Sequence, residues 1–215
     1  WGGWLSRPDA RIRKLETKRK IPKGLCIGGN AIAPHEPDFY DVLFFETMWY
    51  APQIKSHRNI VYAFGINSMI YNRWKWDSKI WDYVTVGAFA IWKRQGKITK
   101  KPGMKLAVGE IQKDNLSESM AIVSELLANK VMVSDMVPPS ELAKIYHAAK
   151  TVYIPADEKG GGERAIWEAR ACGCNVEIEK DNFKLRELLT GPVRDQNYYA
   201  RQIKKGINSV VGSAQ

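Results

Sequence analysis

Gly160, Gly161 and Gly162 run directly into a charged segment that contains Glu163, Arg164 and Glu168. The apolar run TVYIPA, residues 151–156, precedes them. A strand, a loop, a run of glycines and then a helix is the order found at an anion site. The first N–H groups of a helix have no partner inside it, and the helix dipole adds partial positive charge there. Glycines let a phosphate reach the backbone where a side chain would block it. A plain surface turn has the same order of residues. Glu168 lies about a turn and a half into the helix. Its carboxylate has the chemistry to accept two hydrogen bonds from a ribose diol, although an exposed helix face would also carry a glutamate. A phosphate at the helix start and a ribose at Glu168 together describe a nucleotide.

Other chemistries fail on motif. The sequence has no His-Glu-x-x-His, no Cys-x-x-Cys and no Gly-x-x-x-x-Gly-Lys-Ser/Thr loop. It has no Gly-x-Ser-x-Gly elbow either. Asp-x-Asp is also missing, which disfavours the metal-dependent kind of sugar transfer and leads us to expect no metal ligands.

Regular elements position these residues. YVTVGAF, MKLAVG, KVMVS, TVYIPA and CNVEI read as strands. SESMAIVSELLAN reads as a helix with Met120, Val123, Leu126 and Leu127 on its apolar face and Ser117 as N-cap. PPSELAKIYHAAK reads as a helix begun by Pro139 and Ser140, with Leu142, Ile145, Tyr146 and Ala149 inward. The glycines open the next helix, and FKLRELL gives a short one. Strands that alternate with helices imply a parallel α/β sheet covered on both faces. GLCIGG, DVLFF and NIVYAF are the strands expected in the less regular first part, and YNRWKWDSKIW interrupts the pattern. DQNYYARQIKKGINSVVG is a final helix with Ile203, Ile207, Val210 and Val211 on one face.

Composition bounds the rest. The 215 residues are 45% hydrophobic, which suits a globular chain with a real core. No apolar run reaches the roughly 20 residues of a membrane span, and Arg11, Arg13, Lys14, Lys18, Arg19 and Lys20 stand where a signal peptide needs an apolar core. Cys172 and Cys174 are too close for an easy bridge and Cys26 is remote, so a reducing, cytoplasmic setting is expected. The net charge of +10 gathers at Arg11–Lys23, Lys93–Lys105 and Arg201–Lys205. It suits a polyanionic partner, such as nucleic acid, an anionic membrane surface or phosphorylated substrates, and equally a solvated basic coat.

The stretch from Val152 to Leu189 resembles the nucleotide-sugar site of GT-B glycosyltransferases of the retaining group 1 family. That family carries a Glu-Gly-Phe-Gly loop, a helix ending Glu-Ala-Met-Ala-Cys-Gly, and a Pro-Val-Ile strand. Glu168-Ala169-Arg170-Ala171-Cys172-Gly173 matches the helix, and Gly65, Ile66 and Asn67 match an interdomain stretch. VTVGAFAIWKRQ is similar to the family's Val-Gly strand end with its following lysine, here Lys93. The ordered likeness runs from about Asn59 to Leu189.

The resemblance implies roles. Gly160, Gly161, Gly162 and Lys93 would hold the diphosphate of a UDP- or GDP-type sugar donor, Glu168 the ribose, and the Ser134–Val137 loop, with Met136 and Val137, the base. It also exposes departures. The family's first glutamate, which touches the transferred sugar, falls at Gly160, so Glu158 or Glu163 would have to replace it. The arginine after Val-Gly is Ala88, leaving Arg94 or Arg164 to supply that phosphate contact. GLCIGGN is similar to a reduced version of the family's glycine loop, with His35 nearby as a catalytic candidate.

The expectation is therefore a GT-B-like α/β protein. Residues 1–78 would form a reduced acceptor-side domain and 79–194 a Rossmann-like nucleotide-sugar domain, and the 195–215 helix would pack back on the first part. The expected activity is metal-independent hexosyl transfer from a nucleotide diphosphate sugar to a hydroxyl of a glycan, a lipid or DNA. No other cofactor and no stable protein partner are implied. The rival readings are a non-catalytic nucleotide-sugar module and a basic nucleic-acid binder.

Overall fold

The computed structural model describes residues 14, 22–28, 37–73 and 78–211. His35, Trp74, Trp76 and most of the first basic cluster lie outside the described residues. In chain order the elements are β1 (Gly24–Ile27), β2 (Val42–Phe45), α1 (Ala51–Ile54), β3 (Ile60–Tyr62), β4 (Trp81–Val86), β5 (Lys105–Gly109), α2 (Leu116–Ala128), β6 (Met132–Asp135), α3 (Pro139–His147), β7 (Ala149–Ile154), α4 (Glu163–Ala171), β8 (Asn175–Ile178), α5 (Arg186–Thr190) and α6 (Gln196–Val211). The chain divides into two compact units: Trp1–Gly65 with Arg194–Gln215, and Ile66–Val193.

The first unit holds a parallel sheet in the order β1-β2-β3. β2 is the middle strand, and all of its residues are buried, which is why its sequence is an unbroken apolar run. Leu43 and Phe45 face Ile27, Tyr50 and Ile54. Val42 and Phe44 point the other way, toward Ala63 and Tyr199, Ile203 and Val210 of α6. The inward face of α6 differs from the expected one. Ile207 and Val211 are each 48% exposed, and Gly206 is buried in their place. The helix is rotated to set Gly206 against Phe44, and that contact lay outside the sequence periodicity.

The second unit is a five-stranded parallel sheet in the order β6-β5-β4-β7-β8. Phe89, Ile98, Ala107, Val123, Leu126 and Tyr153 form one buried cluster, and Tyr146, Ile166 and Trp167 are buried on α3 and α4. The α2 face is corrected in the same manner. Met120 and Leu127 are exposed, and Ser119 is buried beside Val123 and Leu126 because its hydroxyl donates to the Phe89 carbonyl at 2.7 Å. Asn115 occupies the N-cap position, and Ser117 lies inside the first turn because a 3-10 turn at Lys113–Asn115 feeds straight into the helix. On α3 the buried residues are Ala143, Tyr146 and His147, and Ala149 already belongs to β7.

Three of the six basic residues at Lys93–Lys105 meet carboxylates. Arg94 meets Asp157 and Asp181, Lys97 meets Glu179, and Lys101 meets Glu177. Lys101 also lies over the rings of Tyr83 and Tyr153.

Candidate functional site

The strand order of the second unit reverses direction at β4. From there the chain steps outward through β5 to β6, then returns to lay β7 on the other side of β4. The loops that leave the C-terminal ends of β4 and β7 are neighbours at this switch point, the place where open α/β sheets take ligands, and they touch where Arg94 meets Asp157. The glycine loop follows β7 and Lys93 follows β4.

The glycine loop is shaped by packing as well as by the backbone. A Cβ at Gly160 would lie 2.5 Å from the Trp92 carbonyl oxygen and 2.7 Å from Ala156 Cβ. Gly161 and Gly162 have φ of 72° and 118°, in the left-handed region. Gly162 is the N-cap of α4, and no side chain caps that helix. Asn182 braces the loop from the segment after β8, donating to the Ala156 and Asp157 carbonyls at 2.8 and 2.9 Å.

Lys93 ends a 3-10 turn at Ile91–Lys93. Its side chain lies across the end of β4, so that a Cβ on Gly87 would meet Lys93 Nζ at 3.8 Å. Three contacts fix the loop that carries it. Gln95 donates to the Gly87 carbonyl at 3.0 Å, Ser119 holds the Phe89 carbonyl, and Glu118 accepts from the Ile91 N–H at 2.9 Å. The side chain of half-buried Lys93 makes no hydrogen bond or ion pair among the described residues. Burial lowers its pKa below the ordinary lysine value, with Lys184 adding to that effect and Glu163 and Asp157 opposing it.

The other predicted residues separate by environment. Glu163 is 3% exposed and pairs with Lys184, itself 1% exposed, at 2.8 Å. The Glu163 oxygen has no aligned hydrogen bond, so charge holds this contact. Glu158 is half-buried and makes no hydrogen bond or ion pair among the described residues. Arg94 is occupied by its two aspartates, while Arg164 is exposed and acts electrostatically on Glu168. Glu168 is 7% exposed, with the Tyr146 hydroxyl 3.4 Å from its Oε2. Burial raises the Glu168 pKa, against the pull of Arg164, Tyr146 and Tyr71. Met136 and half-buried Val137 follow the C-terminal end of β6, on the same edge of the parallel sheet as Lys93 and the glycines.

No protein-family model matches the chain. Over 84 residues it is 40% identical to the D-inositol 3-phosphate glycosyltransferase of Segniliparus rotundus, which is 37% of this chain and 18% of that protein. Among solved structures it is similar to HepE of Anabaena in complex with UDP and glucose, with a TM-score of 0.62 at 13% identity, over 89% of this chain and 63% of that one. It is also similar to sucrose-phosphate synthase from Thermosynechococcus elongatus, with a TM-score of 0.64 at 15% identity, over 93% of this chain and 62% of that one. The fold is that of the GT-B glycosyltransferases. The chain spans less than two thirds of the length of each of these proteins.

Within this GT-B fold two residues escaped the reading of the sequence. Asn182 and Lys184 sit in a short loop before α5, and their partners, the glycine loop and Glu163, belong to other elements. The available signal was the lysine itself, set between Phe183 and Leu185 where an apolar residue would be ordinary.

Proposed function

We propose that this chain is a glycosyltransferase that moves a hexose from a nucleoside diphosphate sugar to an acceptor hydroxyl. The observation that carries the reading is Lys93, half-buried after the end of β4 with its ammonium unpaired among the described residues, on the sheet edge where the loop after β7 leads into the uncapped start of α4. A diphosphate would gain the α4 N–H groups and the Lys93 ammonium together. The reaction builds negative charge on the departing diphosphate, which these groups would stabilise without a metal. Glu168 would take the ribose, Met136 and Val137 the base, and half-buried Glu158 is the carboxylate left free to serve the transferred sugar. Two likenesses support the donor class. One is to a D-inositol 3-phosphate glycosyltransferase, and the other is to HepE, whose structures hold UDP and UDP-glucose. Retention of configuration follows from the resemblance to the group 1 family.

Titration with UDP, GDP and their glucose and mannose conjugates tests the reading. Micromolar binding of one diphosphate, and turnover of its sugar that Glu158→Gln lowers more than binding, is the expected result. Absence of binding by any diphosphate would end it. Gly160 favours a second reading, a module that binds the donor without turning it over, because its contact with the Trp92 carbonyl leaves no space for the family's glutamate. Tight binding with no turnover on glycan, lipid or DNA acceptors would decide for the module.

A further inference from the structure

Helix α4 presents a problem to any anion at its start. Its own first turn carries Glu163, a carboxylate placed where the helix dipole favours negative charge. An ionised Glu163 would satisfy that field by itself and repel a diphosphate. Its side chain is buried, so water cannot screen it. Lys184 stands 2.8 Å from it and is buried as completely. The lysine is held in place from both sides: Asn182 is tied to the Ala156 and Asp157 carbonyls, and Leu185 packs against Gly162, where an added Cβ would meet its Cδ1 at 3.2 Å. Lys93 senses both members of the pair electrostatically, with opposite sign.

We infer that Lys184 is a positioning residue that sets the charge of the glycine-loop site: by neutralising Glu163 it frees the start of α4 and Lys93 to hold the diphosphate of a nucleoside diphosphate. Lys184 acts through Glu163 and touches no reacting atom. Replacing either partner breaks the ion pair, but the two replacements change the charge of the site in opposite directions. Removing the lysine leaves a buried carboxylate beside the phosphates, and removing the carboxylate leaves a buried ammonium. A pair that only braces the loop would lose binding in both cases, because a half-broken buried pair disturbs the loop either way.

The inference rests on the donor reading above, and the experiment separates the two. UDP and GDP are titrated into the wild-type chain and into Lys184→Met, Glu163→Gln and the double variant, with thermal melting recorded for each. Lys184→Met is expected to weaken diphosphate binding by about tenfold to a hundredfold, the scale of one uncompensated charge several ångströms away in the protein interior. Glu163→Gln is expected to bind as tightly as wild type or more tightly, although it melts lower. The double variant, whose site has lost both charges, is expected within about threefold of wild type on the same scale. If Lys184→Met does not fold, Glu163→Gln and the double variant still decide. Equal weakening by Glu163→Gln overturns the inference and leaves the pair a structural brace. Unchanged binding by Lys184→Met, or a double variant below about a tenth of wild-type affinity, overturns it too. Wild-type protein that binds neither diphosphate removes the donor reading and, with it, this role for Lys184.

Discussion

The Tyr146 hydroxyl donates to Glu168 Oε2 across 3.4 Å, which ties α3 to α4 behind the carboxylate proposed to take the ribose. Tyr146 is fully buried, and its ring lies 6.1 Å from that of Tyr71, the second tyrosine near Glu168. Glu168→Ala should weaken UDP binding by about 2–4 kcal/mol, since a charged acceptor of two hydroxyls is lost. Tyr146→Phe should cost about 1 kcal/mol, because it removes one neutral donor to that carboxylate. Calorimetry with UDP and 2′-deoxy-UDP checks both. Wild type should prefer the ribose form, and Glu168→Ala should not distinguish the two.

Glu168 also predicts how stability depends on pH. Burial raises its folded pKa above the ordinary glutamate value, so between the two values the native state binds more protons than the unfolded state. Stability must therefore fall as pH rises through that window. Melting curves from pH 4 to pH 7 should show wild type losing stability relative to Glu168→Gln, which has no proton to lose. Parallel curves would mean that the Glu168 carboxyl is not strained by its burial.

Lys93 predicts the opposite edge of the binding profile. Its folded pKa is depressed, chiefly by burial, and only the ammonium form attracts a diphosphate. UDP affinity should decline as pH rises through that lowered value, while the chain itself gains stability there as the buried charge is relieved. Lys93→Arg should keep its charge and flatten the decline. A decline of equal size in Lys93→Met would assign it to another group.

Gly160→Ala should destabilise the protein by about 1–3 kcal/mol, because the new methyl overlaps a backbone carbonyl that has no rotamer to change. Gly160→Glu, which supplies the family's glutamate, should be destabilised at least as much and should gain no turnover. Thermal melting and a donor hydrolysis assay check the pair. A stable, more active Gly160→Glu would show that the loop yields.

Gly206→Ala should test how α6 sits on its own sheet. The added Cβ would come 2.5 Å from Phe44 Cε1, and overpacking of that kind costs about 1–3 kcal/mol, partly offset by about 1 kcal/mol from the better helix propensity of alanine. The measured change in unfolding free energy should still be a loss. A gain would mean that the helix shifts freely over β2.

The sequence by itself determined the α/β alternation, because apolar runs such as Leu106–Val108 and the periodic segments between them are local signals. It also singled out the glycine loop and Glu168, which lie close together along the chain. Which face each helix buries was decided only in the tertiary structure. Ser119 turns inward for the Phe89 carbonyl and Gly206 for the Phe44 ring, and neither partner is near in sequence. The charge of the site was hidden for the same reason. Glu163 looked free to serve as a catalytic carboxylate, yet it is buried against Lys184, because folding sets the segment after β8 against the first turn of α4 and only there do the two charges meet.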